Sequence, residues 1–199
     1  MNDHDEKHQQ RMAKKKAIVD ARIAAAQEER GILILLKGNG KGKSSSALGT
    51  MARSLGYGKK CAVIQFIKGQ NETGEQRFFQ DHPLVDWHVM GHGFTWETQD
   101  KSQDIAAAEK AWELAAQLLQ DETYDFLLFD EMSYMFKYGY LDVEPVVKAL
   151  QARPKMQNVM ITGRTMATPL QDIADTISTV QEDRHAFRLG VKAQEGIEF

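Results

Sequence analysis

An apolar run, Ile32 to Leu36, leads directly into Lys37-Gly38-Asn39-Gly40-Lys41-Gly42-Lys43-Ser44-Ser45, and from there into a stretch with helical spacing. Few sequence features restrict a fold so tightly. Three glycines within five residues let the backbone curl and bring its N–H groups together. A helix opening at Ser44 adds the positive end of its dipole, which completes a cradle for an anion. Lys43 supplies a mobile positive charge, and the Ser44 hydroxyl is placed to ligate Mg²⁺. The pattern departs from G-x-x-x-x-G-K-[ST] in having Lys37 at its first position. The strand before the loop and the helix after it are the context that a phosphate loop requires, so Gly38, Asn39, Gly40, Lys41, Gly42, Lys43 and Ser44 are read as a nucleotide site.

The rest of the chain repeats the same alternation. Cys61–Phe66, Trp87–Met90, Phe126–Phe129, Val159–Thr162 and Thr176–Val180 are short apolar runs, while Ile105–Leu119 and Val143–Ala152 carry helical spacing. Gly56 to Gly58 closes the helix that follows the loop. Continuously apolar strands between helices indicate a mainly parallel sheet covered on both faces. The fold class is therefore α/β, P-loop NTPase-like in the RecA manner. Residues 1–30 differ: they lack Gly and Pro before Arg30 and place Ile18, Ala21 and Ala25 at helical spacing. They form an N-terminal helical arm before a nucleotide-binding domain over 31–199. With so thin an apolar face the arm is either a solvated tail or a docking element.

With 199 residues, 42% of them hydrophobic and 27% charged, the chain is long enough for one domain with a proper core. A net charge of −3 argues against nucleic acid as the main partner. No apolar stretch reaches the roughly 20 residues needed to span a bilayer, and the polar N-terminus lacks the apolar core of a secretory signal. The single cysteine, Cys61, lies in an apolar strand, which fits a reducing cytoplasm. The pairs His4/His8 and His88/His92 lack a ligand set around them and are read as structural; Lys14 to Lys16 is read as a solvated face.

A second chemical element is Phe126-Leu-Leu-Phe-Asp130-Glu131. A carboxylate ending a buried strand beside the phosphate loop reaches the metal or its waters, and the following Glu is a base or a ribose contact. Asp130 and Glu131, with Ser44, are the candidate metal ligands. Loop and acidic strand together also suit a P-loop ATPase or kinase, or a nucleotide-sensing module that does not turn over.

Further stretches narrow the choice. Gly38–Ser45, Val63-Ile-Gln-Phe-Ile-Lys-Gly69, Gly93-Phe-Thr-Trp-Glu-Thr98, Asp130-Glu-Met-Ser-Tyr-Met135, Ile161-Thr-Gly-Arg164, and His185-Ala-Phe187 with Gly190-Val-Lys-Ala-Gln194 resemble, in the same order, the P-loop type of ATP:corrinoid adenosyltransferase. Val19-Asp-Ala-Arg22 and Glu28-Glu-Arg-Gly31 resemble it too. Two departures stand out: Ser44-Ser45 where the family usually has two threonines, and Gln181-Glu182 where it has Arg-Pro.

The resemblance implies transfer of the 5′-deoxyadenosyl group of ATP to Co(I) of a corrinoid, with release of triphosphate, in adenosylcobalamin biosynthesis or salvage. Co(I) is itself the nucleophile, so the protein's work is alignment and stabilisation of the leaving triphosphate. Lys43 and the loop N–H groups, helped by Lys41 and Mg²⁺, would neutralise that charge. Glu131 and Arg164 would hold ribose, metal or phosphate, with Asn39 also in the nucleotide site. Phe94 and Trp96 would press on the corrinoid, excluding an axial ligand and easing reduction; read alone, they are ordinary loop aromatics packed on the core. The resemblance further implies a homodimer, an arm folded over a partner's corrinoid site, and an electron donor such as a flavoprotein.

Overall fold

Six runs of aliphatic, β-branched and aromatic residues form one sheet in the computed structural model, which describes residues 3–67, 72–90 and 101–198. The strands are β1 (Leu33–Lys37), β2 (Cys61–Gln65), β3 (Val85–Val89), β4 (Phe126–Asp130), β5 (Asn158–Thr162) and β6 (Thr176–Thr179). Their order across the sheet is β3-β2-β4-β5-β1-β6, and every neighbouring pair runs parallel. Each strand found in the sequence is present, with ends shifted by a residue or two.

The alternation of side chains explains why the inner strands β1, β2, β4 and β5 are apolar apart from their ends. Leu33 and Leu35 of β1, Ala62 and Ile64 of β2, Leu127 and Phe129 of β4, and Val159 and Ile161 of β5 enter one core cluster. The residues between them, Leu36, Cys61, Val63, Phe126, Leu128 and Met160, enter a second cluster. The first is completed by α4 (Lys101–Gln120), α6 (Val143–Ala152) and α7 (Thr168–Ile173), through Ala111, Ala115, Leu119, Val146, Leu150 and Leu170. The second is completed by α2 (Lys43–Leu55) and α3 (Gly74–Phe79), through Ala47, Leu48, Met51 and Phe79. Burial on the second face leaves Cys61 fully enclosed and pushes its thiol up to about 12, so it is an inert core residue.

Three short helices were not anticipated from the sequence: α3, α5 (Ser133–Lys137) and α7. At five or six residues, none is long enough to display a helical period. In hindsight α3 has a local signal: the Thr73 hydroxyl caps it by accepting from Gln76 N–H.

The chain divides into two compact units, residues 1–30 and 31–199. The first is α1 (Asp3–Ala25), a continuous helix carrying a Lys16–Asp20 ion pair at i,i+4 spacing, with Ile18, Val19 and Ile23 about half or more exposed. Among the described residues, no helix is long and apolar enough to cross a membrane.

Candidate active site

Because β5 lies between β1 and β4, the carboxyl ends of three adjacent strands deliver the phosphate loop, the acidic pair and the 162–164 turn to one place. The hydrogen bonds among them are specific. The Ser44 hydroxyl, in the first turn of α2, donates to Asp130 Oδ1 at 2.8 Å. Thr162 Oγ1, from the end of β5, donates to the same oxygen at 2.6 Å and accepts from the Glu131 N–H at 2.9 Å. Gln65, at the end of β2, is a further neighbour that favours the charged form of the Asp130 carboxylate. Asp130 is almost completely buried, and desolvation raises its pKa against the opposing effect of Thr162, Ser44 and Gln65. Thr162 and Gln65 were given no role from the sequence. Their signal is topological, since each ends a strand that flanks β4, and strand order is not written in the sequence.

Lys43 is 8% exposed and curls back so that Nζ donates to the Gly40 carbonyl at 2.8 Å. Burial lowers its pKa, Glu131 raises it, Arg164 lowers it and Asp130 raises it. These four side chains therefore share one electrostatic neighbourhood. The Arg164 carbonyl accepts from Gly38 N–H at 3.0 Å, which ties the turn after β5 to the start of the loop. Lys41 points elsewhere, to Glu198 at 2.8 Å on the surface. Phe94 and Trp96 lie outside the described residues.

Glu131 follows the strand in a left-handed conformation, φ 56°, which is rare for a residue with a Cβ and is often stored at functional positions. Its Oε2 is buried without a hydrogen-bond partner among the described residues. Burial pushes its pKa up to about 7 from an ordinary 4.5, with Asp130 adding to the rise and Lys43 and Arg164 opposing it. A carboxyl whose pKa is raised by folding contributes fully below its unfolded value, and that contribution is lost as pH climbs through the folded one. Glu131 thus erodes stability between about pH 4.5 and 7, by roughly 3 kcal/mol at the most. Glu131→Gln is accordingly expected to melt several degrees above the parent at pH 8, with the gap closing by pH 5. Melts of both proteins across that range check this; an equal gap at both pH values would contradict it.

Glycine serves two separate needs in the loop. Gly42 caps α2 at φ 109°, a conformation that other residues resist. Gly40 answers to space: a Cβ there would lie 2.3 Å from the Gln181 carbonyl oxygen. Gly40 N–H donates to the Val180 carbonyl at 2.9 Å, and Val180 N–H to that of Lys37 at 2.8 Å. The loop is thus laced to the chain that leaves β6. That chain, where Gln181 and Glu182 depart from Arg-Pro, continues through a Glu182–Arg188 ion pair at 2.6 Å. His185 caps the short 3₁₀ turn Ala186–Leu189, its Nδ1 accepting from Phe187 N–H. A cleft of about 420 Å³ opens between this segment and the loop, bordered by Gly38, Asn39, Gln181, Arg184, His185 and Arg188. Among the described residues its lining stops short of Lys43, Ser44 and Asp130.

The comparisons with known proteins agree with one another. Residues 29–199 match the family described as ATP:corrinoid adenosyltransferase BtuR/CobO/CobP, and residues 1–23 match a separate description, Cob(I)alamin adenosyltransferase N terminal. The corrinoid adenosyltransferase of Pseudomonas aeruginosa PAO1 is 52% identical over 196 residues, covering 98% of this chain and 97% of that protein. That of Escherichia coli K12 is 48% identical, and Corrinoid adenosyltransferase CobA of Salmonella typhimurium LT2 is 49% identical, each covering 98% of this chain and 99% of the relative. The matched stretches take in the phosphate loop, the acidic strand end and most of the arm, and the chain belongs to the ATP:corrinoid adenosyltransferase family.

Proposed function

We infer that the chain transfers the 5′-deoxyadenosyl group of ATP to the Co(I) centre of a corrinoid and releases triphosphate. The observation that carries this reading is the convergence of Lys43, Ser44, Asp130, Glu131 and Arg164 at one end of the sheet in a chain of this family. None of them is a nucleophile poised for attack, which suits a reaction whose nucleophile arrives with the substrate. Lys43 and the N–H groups of the loop would neutralise the triphosphate as it leaves. Asn39 and Arg164 would contact the nucleotide from either side of Gly38, and Lys41 would join them on release from Glu198.

The donor set fits Mg²⁺: a hydroxyl and a carboxylate oxygen 2.8 Å apart, with an unpartnered Glu131 oxygen on the same turn, are hard ligands of the kind it takes alongside its waters. Ser44, Asp130 and Glu131 would hold it, and when bound it supplies charge neutralisation on the phosphates. Phe94 and Trp96 would form the apolar plate against the corrinoid. We further propose a homodimer in a reducing cytoplasm, served by an electron donor of the flavoprotein class. In it, the 1–30 arm closes over bound corrinoid as a lid. The separate family match over residues 1–23 supports a dedicated role for the arm.

The test is the phosphate product. With ATP, Mg²⁺ and chemically reduced cobalamin, stoichiometric triphosphate and an adenosylated corrinoid are expected. ADP with orthophosphate, and no new cobalt–carbon bond, would instead identify an ATPase or kinase.

A further inference from the structure

Past their ends, β4 and β5 stay in contact through one unusual pair. A Cβ built on Gly163 would lie 1.7 Å from Ser133 Oγ and 2.4 Å from Ser133 Cβ. The serine side chain therefore occupies the space that any other residue at 163 would need. Ser133 is 2% exposed, and its hydroxyl has no hydrogen-bond partner among the described residues. A buried hydroxyl of this kind gains nothing from polar pairing. What it supplies here is its volume, wedged between the acidic turn and the turn after β5.

Both sides of the wedge are anchored to the site. On the β4 side, Ser133 opens α5 immediately after the left-handed turn at Glu131, whose N–H is held by Thr162. On the β5 side, Gly163 N–H donates to the Leu36 carbonyl at 3.1 Å, and the next residue, Arg164, receives Gly38 N–H. A displacement at 163 is thereby passed to the first glycine of the phosphate loop, and a displacement at 133 to the carboxylates at 130 and 131.

We propose that Ser133, seated on the Cα of Gly163, is a positioning residue that sets the spacing between the acidic turn and the phosphate loop. The proposal rests on the nucleotide reading of this site. Gly163→Ala must push the two turns apart. Misplacement approaching an ångström at a reacting centre costs on the order of 100-fold. Adding Ser133→Gly in the same chain removes the obstructing side-chain atoms and leaves only the strain of an alanine at φ 158°, so it restores part of the approach.

The experiment measures Mg²⁺-ATP affinity by titration calorimetry, and kcat with reduced cobalamin per folded molecule, for the parent, Gly163→Ala, Ser133→Gly and the double variant. Gly163→Ala is expected to weaken ATP binding at least tenfold and to lower kcat by about 100-fold. The double variant should recover several-fold in both and stay short of the parent, because the strain at φ 158° remains. A purely structural pair would lower melting temperature and yield while leaving affinity and kcat per folded molecule at parental values, and that result would overturn the proposal. So would a double variant no better than Gly163→Ala. Should Gly163→Ala not fold, Ser133→Gly alone decides: loosening the wedge should weaken ATP binding several-fold, and unchanged affinity would refute the role. If the parent binds ATP but forms no adenosylated corrinoid, the activity reading fails, while the affinity comparison still judges the wedge.

Discussion

Lys43→Ala is expected to cut turnover by 10²–10³, equivalent to about 2.7–4 kcal/mol of transition-state stabilisation, in a protein that still folds. The size of the effect follows from where the ammonium sits. It is almost fully buried, with Nζ on the Gly40 carbonyl, inside the loop rather than on its solvent side. Burial lowers its pKa, and the nearby Glu131 and Asp130 are the groups that favour its charged form. A charge held in this way is already desolvated, and in the proposed reaction it would stabilise charge growing on a leaving triphosphate with little solvent rearrangement. The fold should tolerate the change, because the interior gives up a desolvated cation. Glu131 would lose one of the two groups that hold its pKa down, so its pKa should rise further. Steady-state kinetics with reduced cobalamin, alongside thermal melts, provide the check. Parental kcat in properly folded Lys43→Ala would remove Lys43 from the chemistry.

The sequence announced what depends on local pattern and withheld what depends on neighbours across the sheet. Strands β1, β2, β4 and β5 were legible because burial on both faces keeps all but their end residues apolar. The turn between β1 and α2 was legible from its glycines, and the Asp130-Glu131 pair from its place at the end of an apolar run. The order of strands was not, so nothing marked Thr162 as the bridge between Asp130 and Glu131, or Gln65 as a further neighbour of that carboxylate. Lys41 had the composition of a phosphate ligand, yet its side chain pairs with Glu198, 157 positions later. His185, left without a role in the sequence, turns out to cap its own 3₁₀ turn. Gln181-Glu182 stands where the family has Arg-Pro. The Gln181 carbonyl is what meets the loop at Gly40, and a backbone contact tolerates substitution where a side-chain contact does not.

That backbone contact leads to the second large effect, expected for Gly40→Ala. A phosphate-loop glycine is ordinarily explained by the ligand, since a side chain would keep the backbone from the phosphates. At position 40 the obstacle is already in the protein: the new methyl would lie 2.3 Å from the Gln181 carbonyl oxygen, 2.7 Å from its carbon and 2.8 Å from Val180 Cγ1. Two of those three atoms are backbone and cannot rotate away. Either the loop or the strand exit must move, and Gly40 N–H must then give up its bond to the Val180 carbonyl. The Gly40 carbonyl also holds Lys43 Nζ, so the displacement carries the Lys43 ammonium with it. A shift approaching an ångström is expected to lower kcat/KM for ATP by about 100-fold. Stability should fall as well, by the 1–3 kcal/mol typical of overpacking. The contact with Gln181 forms without nucleotide, so the stability loss should appear in ligand-free protein. An alanine there that obstructed only phosphate would leave the ligand-free melting temperature unchanged while weakening ATP binding. Melting curves of Gly40→Ala with and without Mg²⁺-ATP separate these outcomes: a ligand-free melting temperature equal to the parent's would mean that the glycine is there for the nucleotide and not for the strand exit.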